Sequence, residues 1–162
     1  SLGDRVAVMK DGGITQCDSP TDVYDNPATK FVGGFLGSPP MNFLSGTVSE
    51  NGHGLALSLG GQWLPVPAEL SSYRDRSLDV GVRAESLRVL GTDEPADGAL
   101  TCTVEVFEPL GSSVLLTTDV SGQRMKVSAP PDFRASVGDE LRVAPTQTRW
   151  YDPETQLLLE VR

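Results

Sequence analysis

The sequence predicts a mainly β protein, a barrel or sandwich of short strands entered through a β-hairpin and two short helices. Three observations predict it. Seventeen Gly and twelve Pro in 162 residues demand many turns. About ten apolar-alternating segments of strand length lie between those turns. Caps, breakers and helical spacing follow one another without ambiguity only at residues 19–44. A hydrophobic content of 38% with 22% charged residues is that of a globular chain.

In chain order, Val6 and Val8, then Ile14 and Cys17, bracket a Lys-Asp-Gly-Gly turn and read as a β-hairpin. Ser19-Pro20 starts a helix: the hydroxyl caps a free N–H, and proline loses nothing at the first helical position. Asp22 adds a carboxylate where the positive helix end favours it. Asn26-Pro27 repeats the device for a second helix, on which Phe31, Val32, Phe35 and Leu36 make a broad apolar face. Gly37 suits a left-handed C-terminal position, and Pro39-Pro40 ends the run.

Beyond Pro40 the pattern is β. A strand over residues 42–48 leads to the turn at 51–54, and a hairpin follows from Leu55, Leu57 and Leu59 to Trp63, Leu64 and Val66 across Gly60-Gly61. One helical turn is expected within 69–76. Strands over 78–83 and 86–90 break around Ala84-Glu85, and residues 91–98 form a polar loop. The alternation over 100–110 is long enough to require a bend or bulge. A hairpin over 114–120 and 123–127 follows, then a proline-bearing loop at 128–136, a strand at 141–143 and a last strand at 157–161. Periodicity alone does not separate an OB-like barrel from an immunoglobulin-like sandwich.

Residues 3–44, with GVRAESL at 81–87, VFEPLGSSVLL at 106–116 and YDPETQLLL at 151–159, resemble in order the C-terminal part of ATPase subunits of maltose/trehalose-type sugar ABC importers. The resemblance implies an OB-like (TOBE) barrel, often doubled by strand exchange between sub-barrels. It divides the chain into a terminal hairpin of an ATPase domain at 1–18, a helical connector at 19–38 and a TOBE/OB-like regulatory domain at 39–162. It implies that Ser1 marks a cut, with the catalytic part upstream. Residues 1–18, stripped of their partner strand, are then expected to expose Val6, Val8 and Ile14 and to pack on a second copy, while Gly33-Gly34 lets another backbone approach. Arg83 and Glu85 match the family's G-[IV]-R-P-E-H-[LI] element, whereas Ala84 and Ser86 depart from it; the charged pair is expected to brace the barrel. Glu108 and Gly111 are further candidate regulatory or interface positions, Gly111 for a backbone conformation other residues resist and Glu108 for reach to a neighbouring backbone or subunit.

The resemblance also implies a homodimer, permease partners, a regulatory protein, and a place on the cytoplasmic face of the membrane. ATP and magnesium would belong to the missing ATPase domain. This chain has no Gly-rich loop ending in Gly-Lys-Ser/Thr, so no cofactor and no catalytic residue is assigned to it. Ser58-Leu-Gly-Gly-Gln62 superficially resembles an ABC signature, but that motif must open a helix to aim amides at phosphate, and here a proline-broken strand follows. His53 is the only histidine and sits in a Gly-rich turn without metal-ligand spacing around it, so no metal site is expected. Cys17 and Cys102 lie far apart in different segments, which favours reduced thiols. Thirteen basic against twenty-two acidic residues, net −9, argue against a nucleic-acid groove despite Trp63, Phe107, Trp150 and Tyr151. The alternative in another functional class is a stand-alone OB-like module sensing a small anion or metabolite.

Overall fold

The computed structural model of the protein describes residues 4–95 and 97–162. Ser1, where the sequence reading places a cut, the other two residues opening the 1–18 unit, and Ala96 of the polar loop lie outside the described residues. The hairpin forms as β1 (Val6–Lys10) and β2 (Gly13–Asp18). Two six-residue helices follow, α1 (Pro20–Asp25) and α2 (Lys30–Phe35). The Ser19 hydroxyl accepts from the Asp22 N–H at 3.2 Å, with Pro20 at the helix start. The second cap is not the Asn26-Pro27 pair. Thr29 caps α2, accepting from the Val32 N–H at 3.2 Å, because Asn26 is taken up closing α1. Gly37 carries φ +97° as α2 ends.

Two larger sheets make the body. One has the order β13-β12-β6-β3-β4-β5, built from β3 (Asn42–Asn51), β4 (Gly54–Leu59), β5 (Gln62–Pro65), β6 (Ser77–Val82), β12 (Arg149–Tyr151) and β13 (Leu158–Leu159). The other has the order β10-β9-β8-β11-β7, from β7 (Leu87–Val89), β8 (Leu100–Pro109), β9 (Val114–Val120), β10 (Gln123–Ala129) and β11 (Glu140–Pro145). The chain crosses between them twice. It leaves β6 through a 3-10 turn at Ala84–Ser86 to pair β7 with β11, and returns from β11 to pair β12 with β6. This is strand exchange between two halves of one OB-like barrel, and a single core fills both: Leu44, Leu57 and Leu78 from one sheet, Leu100, Leu116 and Met125 from the other, each at most 1% exposed.

The length of β8 is accommodated by a bulge between Val104 and Val106, as its ten residues require. Gly60 and Gly61, with φ of +60° and +92°, form the β4–β5 turn, so the signature-like stretch is a hairpin. Two expectations are corrected at the C-terminus. β12, absent from the sequence reading, exists because β6 and β13 pair with its two edges, and the last strand shrinks to Leu158–Leu159. The hairpin is a third correction: Val8 is 3% exposed, packed with Val23 of α1 and Val32 of α2. Burying these three contributes about 1.5–3 kcal/mol each. Residues 4–18 are thus held by their own chain, and Gly33 is small because Phe43, Met41 and Pro27 side chains, not another backbone, crowd it. Of the three residues expected to be exposed, Ile14 is, at 65%, with Met9 at 59% opposite it, and Val6 is half-buried.

Candidate functional site at the junction of helices and barrel

Arg83 follows β6 on the barrel, yet its side chain belongs to the helices. It is 5% exposed and its guanidinium donates to the carbonyls of Leu36 at 2.7 Å, Gly33 at 3.4 Å and Tyr24 at 2.9 Å. Those carbonyls close the C-terminal ends of α2 and α1, where backbone acceptors lack helical partners and the helix end is negative; the Gly33 carbonyl also accepts from the Met41 N–H at 3.1 Å. The guanidinium also stacks on the Tyr24 ring, 3.9 Å from its centroid. Each hydrogen bond from a charged donor is worth about 1.5–3 kcal/mol, so one side chain ties both helices to the barrel. Gly37 makes room: a Cβ there would meet the Arg83 guanidinium.

Glu85, two residues on, is exposed and does not pair with Arg83; it accepts from the Tyr24 hydroxyl. Burial first, and then the bond to this carboxylate, push the Tyr24 hydroxyl above its ordinary pKa. The pair expected to brace the barrel therefore works through a third residue. Tyr24, Asp25, Met41, Arg83, Glu85 and Arg149 surround a cavity of about 140 Å³. Arg83 Nε is buried without a hydrogen-bond partner.

The other two candidates lie elsewhere. Glu108 is exposed on β8 opposite Leu115, and Gly111, at φ +89°, shapes the loop joining β8 to β9. Gly111 has the backbone predicted for it, and the structure does not bring this pair to Arg83 and Glu85.

The residues that sequence reasoning missed complete the junction. Lys30 of α2 reaches Asp79 of β6 at 2.7 Å, and Ser45 donates to the same carboxylate at 2.6 Å; Asp79 is 2% exposed. The signal was a carboxylate in the otherwise apolar run Leu78-Asp79-Val80, since a buried polar residue is the informative exception. Arg149 donates to the Asp25 carbonyl and Asn26 Oδ1, both at 2.9 Å. The buried Tyr151 hydroxyl donates to the Pro27 carbonyl at 2.8 Å, and burial pushes it well above the ordinary tyrosine range. Chemically the arrangement grips: apart from Arg83 Nε, the junction donors named here are committed to carbonyls or carboxylates. Among the described residues no group of three or more His, Cys, Asp or Glu could hold a metal ion, and no helix is long and apolar enough to cross a membrane.

Residues 37–87 match the MalK OB fold domain and residues 80–151 the TOBE domain. The sulfoquinovosyl glycerol transport ATP-binding protein SmoE of Agrobacterium fabrum is 35% identical over 162 residues, covering 96% of this chain and 44% of that protein. The sn-glycerol-3-phosphate import ATP-binding protein UgpC of a Jannaschia strain is 36% identical over 155 residues, 95% of this chain and 42% of its own. The chain thus spans less than half the length of these curated relatives. Among solved structures, the cytoplasmic molybdate-binding protein ModG superposes with a TM-score of 0.53, covering 67% of this chain and 94% of that one. At 18% identity this is a likeness of fold alone.

Proposed function

From the premise that the chain belongs to the MalK OB fold and TOBE domain family, we propose that it is the regulatory and dimerisation region of the ATP-binding subunit of a carbohydrate ABC importer. In this reading the whole subunit binds ATP and magnesium, hydrolyses ATP as a homodimer and sits on permease subunits at the cytoplasmic face of the membrane. The names of the relatives, transport and import ATP-binding proteins, support the class. This region would hold two subunits together while their catalytic parts separate, which requires an interface of about 1,600 Å² that persists through the cycle.

The observation that carries the reading is a barrel filled by its own side chains and bolted to a helical connector. Leu44, Leu57, Leu100, Leu116 and Met125 occupy the interior, so the barrel offers its outside to other proteins. The stand-alone small-ligand sensor is correspondingly not favoured. Sedimentation equilibrium of the full chain, from about 1 to about 100 μM, tests the dimerisation role. A concentration-dependent dimer is expected; a monomer throughout that range overturns it.

A further inference from the structure

A two-helix connector containing Gly33, Gly34 and Gly37 and bounded by prolines is where a hinge would be sought. The contacts deny it the freedom to act as one. We infer that hairpin, connector and barrel move as a single rigid body with Arg83 as its latch, so that a displacement imposed on the hairpin is delivered to the barrel.

A hinge must change φ and ψ over a few residues, and here the natural place is between α1 and α2. There the backbone is held from both sides. On the hairpin side, Gln16 Nε2 donates to the Asn26 carbonyl at 3.1 Å and its Oε1 accepts from the Ala28 N–H at 2.8 Å. On the barrel side, the carbonyls of Tyr24, Asp25 and Pro27 accept from Arg83, Arg149 and Tyr151. The C-terminal segment takes what remains: Leu158 N–H donates to the Ala28 carbonyl at 2.9 Å, and Lys30 N–H to the Gln156 carbonyl at 3.0 Å. Bending here would break several of these bonds together, and would leave the buried Tyr151 hydroxyl without its partner. The Lys30–Asp79 pair then fixes the first turn of α2, and Val8 with Val23 and Val32 fixes the hairpin to both helices. Arg83 is singled out because it alone holds the C-terminal ends of both helices, whereas Arg149, Tyr151 and Lys30 each hold the connector at one place, so its loss loosens two helix ends from the barrel at once while Gln16 still holds the connector to the hairpin.

This inference stands on contacts within the chain and holds whether or not the transport reading does. Spin labels at Ile14→Cys on the hairpin and Asp132→Cys on the barrel test it, in the full chain carrying Cys17→Ser. Both labelled positions are exposed, and Cys102 is 1% exposed. Double electron–electron resonance should give one narrow distance distribution. Arg83→Met should roughly double its width, while hydrogen exchange shows the barrel core intact. Gln16→Leu, which cuts the hairpin side instead, should broaden it as well; if Arg83→Met fails to fold, Arg83→Lys, which keeps the charge but cannot reach both helix ends, takes its place. A broad or two-peaked distribution in the parent chain overturns the rigid body. An unchanged width in a folded Arg83→Met protein overturns the latch.

Discussion

Gln62 and Thr101 pair as though the glutamine side chain were a length of strand: Nε2 donates to the Thr101 carbonyl at 2.9 Å and Oε1 accepts from the Thr101 N–H at 2.6 Å. Asn42 does the same with Lys126, at 2.8 Å in both directions, and Gln123 with Ser45, at 2.9 and 2.8 Å. Each pair joins one large sheet to the other, β5 to β8 once and β3 to β10 twice. A carboxamide carries the donor and acceptor of a peptide group, so it extends a ladder where two twisting sheets have drifted too far apart for main chain to meet main chain.

The first prediction follows from that geometry. Gln62→Leu leaves the Thr101 N–H and carbonyl without partners and should cost about 1–3 kcal/mol. The melting temperature should fall by roughly 2–4 °C for each kcal/mol lost. Gln62→Glu, which keeps the acceptor and loses the donor, should fall between. Urea unfolding of the three proteins checks this; a Leu variant as stable as the parent would show that the stitch closes nothing.

A second prediction concerns Lys30 and Asp79. Asp79 is 2% exposed and its two oxygens are taken by Lys30 and Ser45. Asp79→Ala strands the Lys30 ammonium beside the barrel and should cost about 3–5 kcal/mol. Replacing both partners, Lys30→Met with Asp79→Leu, removes the stranded charge and should recover much of that loss. Chemical denaturation supplies the comparison, and a double variant worse than the single one would contradict the account.

What was legible in the sequence was what local chemistry dictates. Gly-Gly turns, the Ser19-Pro20 start and the overlong alternation of β8 each announce themselves within a few residues, and each formed. β12 did not, because Arg149-Trp150-Tyr151 is too short to show a period and its strand character comes from neighbours about 70 residues before and 8 residues after it. The Arg83 latch was half legible. The resemblance pointed to the residue, but its three partners are backbone carbonyls 47–59 positions away, and no side-chain pattern signals a carbonyl. The resemblance set Glu85 beside it as a charged pair bracing the barrel, whereas the turn after β6 sends the two side chains to different partners.

Mg-ATP tests the functional class. No stretch of this chain has the Gly-rich, Lys-ending pattern that cradles phosphates. Titration with Mg-ATP should therefore leave the melting temperature unchanged. A saturable rise of several degrees would contradict the reading, because a ligand that binds only the native state must stabilise it.

The last prediction is an acid and alkaline edge with separate owners. Asp152 accepts from the Tyr73 hydroxyl at 2.5 Å and from the N–H groups of Glu154 and Thr155 at 2.8 and 3.0 Å. The Tyr73 bond first, then the backbone donors, hold its carboxyl below the ordinary 3.8. A folded-state pKa below the unfolded one means that the unfolded chain binds the proton first on acidification. The contribution is complete above about pH 5 and is lost as the pH falls through 3.8 toward the folded value. Tyr73 is shifted the other way, raised above 10.0 by burial first and by its bond to Asp152 second. Its contribution is complete below pH 10 and drains away above it. Asp152→Asn should flatten the acid limb of stability against pH and Tyr73→Phe the alkaline limb. Each would also lower stability at neutral pH, since either change breaks the shared hydrogen bond. Urea midpoints from pH 3 to pH 11 separate the two; an acid limb unchanged in Asp152→Asn would assign that edge to other carboxylates.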